Sequence, residues 1–113
     1  MAAPHDAPTA AQLVEAVREW IENEVAPQVG GRLSFHSRVA VNVLAMVERE
    51  LATSAADEQA HIERLRRLGV SSDAELAALV RGGGMDDRLA EVLEVLRPSI
   101  RAKVAVANPR YLD

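Results

Sequence analysis

The stretch from Phe35 to Leu51 constrains the fold more than any other part of the chain. Apolar side chains return there at Phe35, Val39, Val43, Leu44, Met46, Val47 and Leu51. At ~100° per residue that spacing winds onto one side of an α-helix; it does not match a strand, whose side chains alternate with period two. The stripe covers roughly half the helix circumference, wider than a surface helix needs. The sequence therefore predicts a central apolar helix over about 34–52, wrapped by its neighbours.

The remaining segments read as further helices. Met1 to Pro8 holds two prolines and no apolar period, and is expected to be a disordered tail (1–8) ahead of one helical domain (9–113). Thr9 and Gln12 form a capping box, followed by Leu13, Val17, Trp20, Ile21 and Val25 on one face, with an end before Pro27. A helix opening at Ser54 would bury Ile62, Leu65 and Leu68 and close at Gly69. Ser72 and Glu75 make a second capping box for a short helix ended by Gly82, Gly83 and Gly84. A long last helix over about 87–107 keeps Leu89, Val92, Leu93, Leu96, Ile100 and Val104 in phase across Pro98. That continuity points to one kinked helix or two nearly collinear ones. The expected fold is all-α: a single compact bundle of four to five helices.

Composition narrows the function classes. A chain of 113 residues, 49% hydrophobic and 27% charged, suits one globular domain with a real core. Aromatics are only 3%, so that core must come from Leu, Val, Ile and Ala. The lack of cysteine removes disulfides, thiolate chemistry and cysteine-ligated zinc, and is compatible with the cytoplasm. The longest apolar run, Val39 to Val47, is broken by Asn42 and falls short of the ~20 residues that span a bilayer. The N-terminus lacks a signal peptide's basic flank and hydrophobic block. A net charge of −4 disfavours nucleic acid and anionic membrane as partners. The expectation is a cytoplasmic chain with no membrane, nucleic-acid or cofactor association.

Motifs that could carry chemistry fare poorly on inspection. Leu68-Gly69-Val70-Ser71 resembles the turn of a helix-turn-helix, but Asp73 and Glu75 would then face phosphates. The triple glycine follows a helix and leads into Asp86 and Asp87, which would repel a phosphate. His61 has Asp57 and Glu58 one turn before it; a di-iron bundle needs a second Glu-x-x-His run, and the chain has none, so no metal site is expected. Ser34, His36 and Ser37 point in different directions on a helix, and Ser34 is explained as an N-cap.

What remains is polar residues in apolar surroundings. Glu24 projects onto the Leu13/Trp20 face, and His36 and Glu50 fall among Phe35, Val39, Val43 and Val47. A buried charge must be paired or neutralised, so these three could line a proton-transfer or ligand pocket; equally, their places near helix ends let them reach water. Arg38, Asn42 and Arg49 form a separate stripe, and a buried amide such as Asn42 needs partners. Arg110 and Tyr111 could supply them if the C-terminus packs back, joining Arg38 and Asn42 in one polar cluster.

Three strings together resemble a known family. They are Thr9 to Val17, Gly31-Arg32-Leu33-Ser34-Phe35-His36-Ser37-Arg38-Val39-Ala40-Val41-Asn42 continuing to Glu48-Arg49-Glu50-Leu51, and Lys103 to Leu112 with its Asn-Pro-Arg-Tyr-Leu ending. They are similar to a bacterial family of small all-helical proteins of unknown function. Its members are often encoded beside aminoglycoside-phosphotransferase-like kinases and acyl-CoA dehydrogenases; Pro98 is atypical of it. The resemblance supplies no catalytic residues. It implies an accessory role, with a protein partner such as that kinase or an acyl-CoA-metabolising enzyme, or self-association as a homodimer.

The leading expectation is thus a non-enzymatic interaction domain, with Glu24, Arg32, His36, Arg38, Asn42, Arg49, Glu50, Arg110 and Tyr111 as candidate interaction or ligand residues. A small enzyme or ligand-binding domain using Glu24, His36 and Glu50 in an interhelical pocket is second. DNA binding ranks third.

Overall fold

The computed structural model describes residues 7–112. Most of the expected tail (1–8) lies outside the described residues. Four α-helices are present and no strand occurs among the described residues: α1 (Ala10–Trp20), α2 (Gly31–Arg67), α3 (Asp73–Arg81) and α4 (Leu89–Ala107). The fold class is the all-α one expected. The chain divides into two compact units, one up to Thr53 and one from Ser54 onward, with the boundary inside α2.

In the N-terminal unit, α1 opens with the expected capping box. The Gln12 N–H donates to Thr9 Oγ1 at 3.2 Å, and the Thr9 N–H donates to Gln12 Oε1 at 2.8 Å. After Trp20 the chain widens into a π turn, Ile21–Val25, and tightens into a 3-10 turn, Ala26–Gln28, where Pro27 lacks the N–H to continue a helix. α2 begins earlier than Ser34, at Gly31, whose φ of 59° is a left-handed conformation that glycine adopts without strain.

The helix break expected at Thr53-Ser54 does not exist; α2 is one helix of 37 residues. Thr53 Oγ1 donates back to the Arg49 carbonyl at 3.2 Å, and Ser37 Oγ does the same to Leu33 at 2.7 Å. Such hydroxyls satisfy themselves within the helix instead of capping a new one.

The C-terminal unit holds the buried core. Leu65, Leu68, Val70, Leu76, Met85 and Val92 are buried, with Val95 and Leu96 packed against them. α2 ends in a Schellman turn: the Val70 N–H donates to Leu65 O at 3.1 Å and the Gly69 N–H to Arg66 O at 3.0 Å, with Gly69 at φ 79° as the sequence predicts. Its apolar flanks, Leu65 and Val70, both enter the core. The Ser72 hydroxyl caps α3 by accepting the Glu75 N–H at 3.1 Å. α4 runs unbroken through Pro98 and keeps Val92 inward, while Leu89, Leu93 and Ile100 are exposed. A 3-10 turn, Pro109–Leu112, follows it.

The core is therefore not where the apolar pattern was densest. Most of the α2 stripe expected to be wrapped is bare: Phe35 is 56% exposed and Val43 51%, with Val39, Met46 and Leu51 also exposed, and only Leu44 and Val47 half-buried. Among the described residues up to Thr53, none is fully buried.

Candidate functional site

One ion pair sets the rotation of both helices in the N-terminal unit. Arg18 Nε donates to Glu48 Oε2 at 2.5 Å while its Nη1 holds Glu22 at 2.9 Å, and the Arg18 and Glu48 side chains are both largely covered. The bond to Glu48 raises the Arg18 guanidinium above its ordinary value, against the smaller opposing effect of desolvation. Residues sharing the helix faces of this contact are half-buried: Val14 on α1, Ile21 and Val25 in the π turn, and Ser37, Val41, Leu44 and Ala45 on α2.

At ~100° per residue, Leu13 and Trp20 lie on the side of α1 opposite Arg18 with Val17 on its flank, and Val39, Val43 and Met46 lie opposite Glu48. All six are exposed. The strongest apolar stripe on each helix thus turns away from the contact joining them. The single Trp, Phe and Tyr of the chain are all exposed, Tyr111 at 80%. Large aromatics left bare in this way are characteristic of binding surfaces.

The polar residues singled out from the sequence are all exposed except Arg49. His36 is exposed and its Nε2 accepts from Arg32 Nε at 3.3 Å, one helical turn away, while the Phe35 ring stands edge-on to it. Glu50, Arg38 and Asn42 are exposed, and Arg49 is half-buried. Glu24 is exposed too; it sits in the π turn, where the 100° count that placed it on the Leu13/Trp20 face no longer applies. Among the described residues no charged or polar residue is buried. Arg110 and Tyr111 belong to the C-terminal unit and are exposed in the 3-10 turn after α4.

The C-terminal unit contains a polar network that the sequence did not reveal. His61 Nδ1 lies 2.7 Å from Ser99 Oγ, and His61 Nε2 lies 2.8 Å from Asp73 Oδ1. Arg64 Nη1 donates to Ser99 Oγ at 2.9 Å. A carboxylate only accepts, so Nε2 donates to Asp73; in the neutral tautomer Nδ1 accepts the Ser99 hydroxyl, whose oxygen accepts from Arg64.

Aspartate, histidine and serine thus stand in the donor order of an acyl-transfer relay. The surroundings suit a clamp better: Ser99 is in the middle of α4, where nearby backbone N–H groups are committed to the helix and cannot cradle an oxyanion. The network ties α2, α3 and α4 together above the core. Sequence proximity had paired His61 with Asp57 and Glu58; its partners come from 12 and 38 residues further along.

Among the described residues, no group of three His, Cys, Asp or Glu side chains could hold a metal ion. No helix is long and apolar enough to cross a membrane. No curated protein and no solved structure matches the chain. Residues 27–111 match the model of a domain of unknown function (DUF6285), from the loop after α1 through the exposed Tyr111, and the chain belongs to that family.

Proposed function

We propose that this chain is a non-enzymatic helical accessory domain that works by binding protein through the outward faces of α1 and α2. One observation carries the proposal: up to Thr53 no described side chain is fully buried, while Trp20, Phe35 and the Val39/Val43/Met46 stripe are exposed together. Covering the roughly half of each side chain still exposed gains about 1 kcal/mol apiece, so the surface favours a protein cover over water. The likeness of the Arg32–Asn42 and Asn108–Leu112 strings to proteins encoded beside phosphotransferase-like kinases and acyl-CoA dehydrogenases supports an enzyme of either class as partner. A pocket lined by Glu24, His36 and Glu50 has less support, because all three are exposed and His36 is engaged by Arg32.

The test is a photo-crosslinking residue placed at Val43 in the full chain in its native cell, with the same residue at exposed Glu15 as reference. Protein adducts are expected from position 43 well above those from position 15. Equal, background-level adducts from both positions would overturn the interaction reading.

A further inference from the structure

We infer that the outward stripe of α2 is covered by a second copy of this chain, packed antiparallel about a twofold axis at Val43. This rests on the interaction reading above and names its occupant. Arg32, His36, Val39, Val43, Met46 and Glu50 follow one another at alternating spacings of four and three residues, and all are exposed. That is the spacing of a helix–helix seam. The seam is apolar in its middle, basic at its start and acidic at its end.

A twofold axis brings each residue against the one equally far on the other side of the axis. With the axis at Val43, that residue meets its own copy. His36, with Arg32 beside it, meets Glu50. Each end of the seam thus finds the opposite charge without any other protein supplying it. A parallel pairing would instead set Glu50 against Glu50 and Arg32 against Arg32, which like charges disfavour.

Sedimentation velocity of the full chain over a wide concentration range tests the inference. The native chain is expected to dimerise, and Val43→Asp, which places two carboxylates together in an apolar seam, should weaken the dimer at least about 100-fold. Because Val43 is outside the buried core, far-UV circular dichroism should show the variant still helical. The orientation is read from charge exchange: His36→Glu alone should weaken the dimer, and adding Glu50→His should restore it.

A dimer indifferent to Val43→Asp, or not restored by the exchange, would overturn the seam. A native chain that stays monomeric would overturn self-association. If position 43 still crosslinks to a different protein in that case, the interaction reading survives without this one; if it does not, both fail.

Discussion

Replacing Leu68 by Ala tests where the folding energy resides. Leu68 is 2% exposed, the most deeply buried large side chain described, and it sits among Leu65, Val70, Leu76, Met85 and Val92. Truncating a buried leucine costs about 2–5 kcal/mol, rising with the cavity left behind. Val95 and Leu96 are only partly buried against this cluster and can relax into the space, which places the expected cost near ~3 kcal/mol. A domain of this size has ~5–15 kcal/mol in total, so the loss is a large share. Urea denaturation followed by helical circular dichroism should show a lower midpoint at unchanged slope. The reference is Phe35→Ala, larger by volume but 56% exposed, which should cost under ~1 kcal/mol in dilute monomer. If Phe35→Ala were the costlier change at low concentration, or Leu68→Ala cost less than ~1 kcal/mol, the core would lie elsewhere and the account of the fold would be wrong.

Ser99→Ala removes the hydroxyl that joins His61 to Arg64 and should cost ~1–3 kcal/mol, read as a lower melting temperature; an unchanged melt would show that the network holds nothing. Glu75 accepts from the Ser71 N–H at 2.7 Å and the Ser71 hydroxyl at 3.0 Å, which hold its carboxyl below the usual carboxylate range. Its folded-state value being depressed, its contribution is present above the ordinary glutamate range and is lost as pH falls through the folded value. Glu75→Gln should accordingly flatten the melting temperature's dependence on pH on the acid side, measured by thermal melts from ~pH 5 downward. Gly69→Ala meets nothing within 4 Å, so its cost comes from the φ of 79° alone; ~1 kcal/mol or more of destabilisation in urea is expected.

Much of the fold was legible because it is local. The Thr9/Gln12 box, the Gly69 turn and the glycines after α3 each act within a few residues, where spacing and side-chain type decide the outcome. Glu75 was half-legible: Ser72 caps it as expected, but its carboxylate reaches one residue further back, to Ser71. The unbroken course of α2 was hidden because Thr53 and Ser54 look like caps, and no glycine or proline separates a cap from a hydroxyl bonded back to its own helix.

The candidate surface was misread for a physical reason. Periodicity shows that an apolar stripe exists but not which way it faces, and the pairing of Arg18 with Glu48, 30 residues apart, decides that. The stripes drawn on α1 and α2 joined residues of two sides: Leu13, Val17, Trp20, Val39, Val43 and Met46 face outward, while Ile21, Val25, Leu44 and Val47 are half-buried. His61 and Ser99 were beyond reach for the same reason, since their contact is set by how α2 and α4 pack.

The chain contains no cysteine, so a single Val43→Cys variant gives the most direct measurement. Placed on the inferred twofold axis, that thiol should oxidise rapidly into a covalent dimer at dilute protein concentration, while Glu15→Cys, also exposed on α1, stays monomeric. Equal and slow oxidation of both would contradict a second copy seated on α2.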